Sequence, residues 1–360
     1  HLTFRGNSAG AGLALRIVNS ATVNLSDSIL SAGGVAGNQC SISGGTLNAQ
    51  GTNLVTDSSC AGITSTGAGA IGLAAELADN GGSTRTHALL PGSAPIDAAT
   101  DCAGITIDQR GIGRGGDGDL DGVGACDIGA YELVPLVVNT VADTVDSADS
   151  LCSLREAMAN ANADNRGNPD CARGLGADLI YFNLPIPSTI TLGSSLPQIS
   201  DALAIVGPGT ADLTLDANQT GRHFRAGDGN AAVDIPVAIS AMTLINGRAG
   251  SGGAFLSAEA LTVDQVEFRN NTANGTNGGG AIALDAGSLV LTRSSFSGNV
   301  ADNGAGAGNG GALFVQLGAD ASVQTSAFVD NRSADYGGAV HFTSAGATEV
   351  SRSEFTGNHS

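Results

Sequence analysis

The chain has 360 residues, a net charge of −19 at pH 7, 54 glycines, no tryptophan and 42 % hydrophobic residues. Every Lys/Arg position is arginine, and so acidic a chain excludes a binder of nucleic acid or anionic lipid, which needs clustered cations. The apolar fraction argues against disorder despite the Gly, Ala, Ser and Asn content, and no apolar run reaches the ~18 residues of a membrane span, so no membrane insertion is expected of this segment.

In chain order, the first feature is Phe4-Arg-Gly-Asn7, a copy of a repeat that returns near the other end. The chain thus opens inside a repeat, and it is expected to be a piece of a longer protein. Gly6-Asn-Ser8-Ala-Gly10 has the spacing of a nucleophile elbow. That motif needs a strand-to-helix turn and a His/Asp pair, so a β-turn reading is preferred. Six cysteines follow, Cys40, Cys60, Cys102, Cys126, Cys152 and Cys171, with no C-x-x-C. An even count without metal spacing favours disulfides. Nearest-neighbour pairing would close loops of roughly 20 residues, worth about 3 kcal/mol each; other pairings remain open. Disulfides imply an oxidising compartment outside the cytoplasm.

Residues 79–132 do not repeat. They hold Asp117-Gly-Asp119-Leu-Asp121-Gly122, the D-x-D-x-D-G spacing of a calcium loop, with Asp127 as a further oxygen donor. The twelfth position is Ile128 instead of Glu, so a solvated acidic loop is the competing reading. The solvated-loop reading is preferred, so no cofactor is expected unless this loop holds calcium. Arg110, Arg114 and Arg155 are expected to pair with Asp127, Glu132 or Asp149. His87 is expected to make a structural polar contact. After Val137-Val-Asn-Thr140 comes Ser153-Leu-Arg-Glu156, a capping box, followed by helix formers with Leu154, Ala157, Met158 and Ala161 on one side. The spacing predicts a short helix near 153–162, placed to cover the open end of a strand stack that would otherwise pair with other chains.

The rest of the chain repeats. Phe268-x-x-Asn271, Phe296-x-x-Asn299, Phe328-x-x-Asn331 and Phe355-x-x-Asn358 alternate with Gly-Gly-Ala turns starting at Gly252, Gly279, Gly310 and Gly337. Each glycine pair precedes its Phe by 16 to 18 residues, whereas the return from Phe to the next pair varies from 9 to 14. A fixed arc with one elastic loop is how a solenoid absorbs insertions. Within the arc Ile282 and Leu284, then Leu289 and Leu291, alternate with period two. The predicted fold is therefore all-β: a right-handed parallel β-helix in two segments, with about three short strands per coil. Phe side chains stack on one another, Asn occupies a left-handed turn and bonds its neighbours above and below, and the glycine pair forms a tight corner. His341, out of phase with Val340 and Phe342, is left either exterior or lining.

With these residues in view, Cys152-Ser-Leu-Arg-Glu-Ala157 resembles the signature of the CSLREA domain, found near the start of secreted bacterial β-helix proteins. Residues 79–132 resemble the terminal region of the choice-of-anchor Q family, and the Phe-x-x-Asn and Gly-Gly-Ala repeats are similar to those of chlamydial polymorphic outer-membrane proteins. Together the resemblances cover most of the chain. They imply an extracellular or bacterial cell-surface protein, with residues 1–132 ending one β-helix and 133–360 carrying a cap and a second one.

The functional expectation is a structural or adhesive module: a secreted adhesin, spacer or extracellular filament subunit. It would associate end to end or continue into a longer chain, and could meet a surface glycan or protein along the elastic loops at 272–278, 300–309 and 332–336. The alternative is a polysaccharide-degrading or -binding β-helix enzyme, lyase- or hydrolase-like. That chemistry needs paired carboxylates, or calcium with a base, in a groove. Asp212 with Asp216, Asp264 with Glu267, and Asp285 are the candidates, but none recurs on adjacent coils. No catalytic residue is assigned.

Overall fold

All pairings between strands are parallel, and each strand sits on its counterpart one coil earlier. The computed structural model describes all residues except Glu76, Ala103, Leu120, Ala231, Val233, Leu317, Ser344 and Ala345. The chain divides into two compact units, His1–Pro135 and Leu136–Ser360.

In the first unit three arcs stack. Thr3–Arg5 lies on Ile29–Ser31 and then on Leu54–Val55; Leu15–Val18 lies on Cys40–Ser43; Thr22–Ser26 lies on Thr46–Gln50. Leu25, Leu30 and Val55 face inward with the Cys40–Cys60 disulfide. Here Phe4 stacks on Leu30 instead of another Phe, and Asn7 is exposed with no side-chain hydrogen bond among the described residues. The repeat at Phe4 and Asn7 is thus a likeness of sequence without the stacked ring and amide found in the second unit. A four-residue helix, Ala68–Ile71, which no sequence signal announced, leads into the terminal region.

The second unit begins with the strand Leu136–Val138, at one end of the main path through a thirteen-stranded sheet. The helix Leu154–Ala163 packs beside it, with both halves of the capping box formed by Ser153 and Glu156. Leu154, Ala157, Met158 and Ala161 are buried in the same cluster as Leu136, Val138 and Ile180. Cys152 and Cys171 are joined across this cap, and Cys102 to Cys126 in the first unit, so all three nearest-neighbour pairings occur.

Each later coil then follows one plan. A three-residue strand such as Phe255–Ser257 or Ile282–Leu284 stacks in a five-stranded sheet, and a longer arc such as Ala260–Arg269 stacks in the thirteen-stranded one. A two-residue arc, Thr272–Ala273 and its equivalents, forms a further sheet that the repeat pattern did not resolve. The long arc bends midway at Ala241, Gln265, Arg293, Thr325 and Arg352, all at positive φ between 49° and 54°. It turns again at Asn246, Asn270, Gly298, Asp330 and Gly357, at positive φ between 53° and 66°. The left-handed residue is therefore the one before the repeat asparagine. This corrects the expectation that the asparagine itself holds the turn. Asn, Asp and Gly at this position are the residues that adopt αL most readily.

The repeat asparagine has another task. Asn271, Asn299 and Asn331 are fully buried. The Oδ1 of Asn299 accepts from both the backbone N–H and the Nδ2 of Asn271, each at 3.0 Å, while its own Nδ2 donates to Asn331 Oδ1 and to the carbonyl of Phe268. The same bonds recur from Asn331 to Asn358. The partners lie 28, 32 and 27 residues apart, so the ladder keeps register while the loops between change length. Beside it the rings of Phe268, Phe296, Phe328 and Phe355 lie parallel within 6°, with centroids 4.7–4.8 Å apart. That spacing equals the strand separation, so the backbone dictates a face-to-face stack that free rings would avoid. At the Gly-Gly corner, a Cβ on Gly280 would land on the backbone carbonyl of Gly311 in the next coil, and Gly279 holds φ +67°. Both glycines are needed, the first for its dihedral and the second for closeness of approach.

Candidate functional site

The acidic loop of the first unit was the strongest sequence candidate for ligand chemistry, and its carboxylates split into two groups. Asp117 and Asp119 converge with Asp97, which no spacing rule pointed to, so that one oxygen from each lies within 4.8 Å of the others. Asp97 is brought there by its own bonds: its Oδ2 accepts from the N–H groups of Gly118 and Asp119, at 2.8 and 3.0 Å. Asp117 Oδ2 accepts from Gly122 N, and Asp117 Oδ1 is buried without a hydrogen-bond partner among the described residues. Three carboxylates offer only oxygen, the donor set of a hard divalent cation. Asp121 is outside the group; its Oδ1 accepts from Val123 N in a local turn. Leu120 lies outside the described residues.

Asp127 also falls outside the group, for a physical reason. It is 1 % exposed, and its carboxylate is spent on the backbone N–H groups of Asp97 and Leu133. Glu132 sits next to it, fully buried, accepting from the N–H groups of Gly115, Gly116 and Asp127 and pairing with Arg114 at 3.2 Å. The Arg114 guanidinium thus offsets Glu132 alone; at Asp127 it reaches only the backbone carbonyl. Burial, and secondly the Glu132 charge, push Asp127 up to about 8. Burial also raises Glu132 and Asp97. A carboxyl whose folded pKa exceeds its unfolded value near 3.8 contributes stability at low pH and loses it as pH rises through about 8. The first unit is therefore expected to weaken by roughly 2–3 kcal/mol between pH 6 and pH 9 on this account. Asp127→Asn, which mimics the protonated acid, should flatten the urea-midpoint profile over that range; an unchanged slope would assign it to other groups.

The arginines behave in part as expected. Arg114 takes Glu132, and Arg110 pairs with Asp108 at 2.8 Å while lying 3.6 Å over the Tyr131 ring. Arg155, however, pairs with Asp143 and binds the carbonyls of Ser194 and Ser195, whereas Asp149 accepts from Leu151 N. His87 Nδ1 lies 2.9 Å from the carbonyl of Ala74, a structural contact. His341 registers with Phe314 and is tilted 59° to the Tyr336 ring at 5.8 Å; half-buried, it lies on the side of the sheet away from the core residues Leu313 and Val315.

The candidate catalytic acids of the second unit do not assemble as pairs. Asp264 is engaged by Arg293, Glu267 lies 3.6 Å from Arg269, and Asp216 accepts from Asn218 N and Asn246 Nδ2. The carboxylates of Asp212 and Asp285 make no hydrogen bond or ion pair among the described residues, and Asp285 is half-buried with its Oδ1 shielded from solvent. Sequence reasoning missed His223, which is wholly buried and whose Nε2–H donates to the Leu215 carbonyl at 2.9 Å. Its only signal was a break in the Gly-Gly-Ala-Phe corner, which reads Gly221-Arg-His-Phe224 in this coil. No family model, curated protein or solved structure matches the chain.

Proposed function

We propose that the chain is a secreted cell-surface module of structural or adhesive kind, related to CSLREA and choice-of-anchor proteins, in which a stiff stack of coils presents variable loops along one edge. The observation that carries this reading is the contrast within each coil of the second unit. The buried Asn and Phe positions keep strict register through three successive coils, whereas the loops between Ala273 and Gly279, between Ala301 and Gly310, and between Ser333 and Gly337 differ in length. Such a division leaves the stack to supply stiffness and the loops to supply contacts. Three disulfides fit an oxidising, extracytoplasmic environment.

The decisive experiment offers the purified protein a panel of immobilised cell-surface glycans and proteins, with soluble-product analysis of every glycan. Saturable retention without release of sugar products is expected. Sugar release dependent on the protein would replace this reading with that of a polysaccharide-active enzyme. Electron micrographs of the native material, class-averaged along any rods, would separate a filament subunit from a tethered adhesin.

A further inference from the structure

On the outward side of the second unit's short-strand sheet, Arg225, Leu256 and Ala283 stand in register on the strands Phe224–Ala226, Phe255–Ser257 and Ile282–Leu284. Beside them opens a cavity of about 280 Å³ whose wall includes Arg225, Leu256, Ala258, Glu259 and Asp285. The charges in this wall are unequal in what they already do. Glu259 is spent: its two oxygens accept from Asp228 N at 3.0 Å and Ile235 N at 2.9 Å. Arg222, close behind, binds the carbonyls of Gly252 and Ser251. Asp285 has only its backbone N–H engaged, by the carbonyl of Ser257 in the main-chain ladder. Its carboxylate makes no hydrogen bond or ion pair among the described residues, and its Oδ1 is buried. Arg225 is exposed, and its guanidinium likewise makes neither among the described residues.

A free guanidinium and a free carboxylate therefore line one cavity without pairing with each other. A half-buried carboxylate without donors is costly unless something supplies them. Burial raises the Asp285 pKa, while Arg222 and Arg225 oppose that rise, which places both cations within electrostatic reach of it. Arg222 and Arg225 balance Asp285 and Glu259, so this spot is locally close to neutral in a chain of net charge −19, and of the four only Arg225 and Asp285 have uncommitted side chains among the described residues. The complement is a group with an anionic planar oxygen pair for Arg225, vicinal hydroxyl donors for Asp285, and a C–H face for Leu256 and Ala258.

We infer that this cavity binds a carboxylated sugar residue of a surface glycan, with Arg225 holding the sugar carboxylate and Asp285 accepting from its hydroxyls. The inference rests on the adhesive reading above and names its ligand class. The test is calorimetric titration of the intact protein with trisaccharides of galacturonate, glucuronate and mannuronate, and with a neutral galactose trisaccharide. At least one acidic trisaccharide is expected to bind, at least ~10-fold more tightly than the neutral one, since a charge-assisted bidentate contact is at stake. Arg225→Gln and Asp285→Asn should each weaken it by about 10-fold or more. Arg269→Gln, on another face, should not. Failure of all three acidic probes to bind at millimolar concentration, or binding indifferent to Arg225→Gln, would overturn the assignment. Retention of Arg225→Gln on the wild type's immobilised target at full strength overturns the cavity and spares the adhesive reading; absence of any wild-type retention overturns both.

Discussion

Replacing Asn299 by Leu is expected to cost about 4 kcal/mol of stability, the largest effect of any single side chain discussed for the second unit. The volume change is small, so the cost comes from hydrogen bonds. Asn299 Oδ1 is the acceptor for both the backbone N–H and the Nδ2 of Asn271, and its Nδ2 is a donor to the carbonyl of Phe268. All lie at a position with 0 % exposure, where water cannot substitute. Two buried donors left without an acceptor cost about 1–3 kcal/mol each, and the loss is concentrated in a connected chain of bonds. Asn299→Asp should be nearly as damaging at neutral pH, because it turns a donor into a charge facing Asn331 Oδ1, and should recover in part when acid protonates it. Urea midpoints by circular dichroism would measure both. A cost below about 1 kcal/mol for the Leu variant would mean that the interior is wetter than its burial indicates.

Acid is expected to weaken the second unit through His223. Burial pushes this imidazole down to about 4, against an ordinary value of 6.5, and only its contacts with backbone carbonyls and Asp216 work the other way. A histidine whose folded pKa is depressed binds its proton more readily in the unfolded chain. Stability on this account is complete above pH 6.5 and is lost as pH falls towards 4, to the extent of roughly 3 kcal/mol. His223→Gln keeps a donor for the Leu215 carbonyl and removes the titration, so its midpoint should fall less than wild type between pH 7.5 and pH 4.5. Equal falls in the two proteins would assign acid sensitivity to the carboxylates. The first unit should respond in the opposite sense as pH rises from about 4 to about 8 because of Asp127, so one chain carries two pH dependences of opposite sign.

The parallel solenoid was legible because its determinants are periodic and of constant residue type. Phe268, Phe296, Phe328 and Phe355 mark the stack, and the capping box at Ser153 and Glu156 marks the helix by local chemistry alone. The mid-arc bend was not legible. Its left-handed residues are Ala241, Gln265, Arg293, Thr325 and Arg352, which share no side-chain property, so packing of the two arms imposes the dihedral against propensity. The acidic site was half legible. Asp117 and Asp119 belong to a local spacing rule, but Asp97 reaches them across 20 residues or more by accepting the backbone N–H groups of Gly118 and Asp119, and no pattern along the chain encodes that approach. The free pair Arg225 and Asp285 was invisible for the same reason: a coil separates them in sequence and only the register of the sheet brings them to one wall.

The amides of Asn271, Asn299, Asn331 and Asn358 all point the same way. In every rung the Nδ2 of the earlier residue donates to the oxygen of the later one. Their dipoles therefore add along the stacking axis instead of cancelling, and each bond polarises the next. The row is an electrical vector running beside the apolar core, with an oxygen-facing start at Asn271, which receives the N–H of Gly247. A stack built this way has a head and a tail that differ in polarity as well as in sequence.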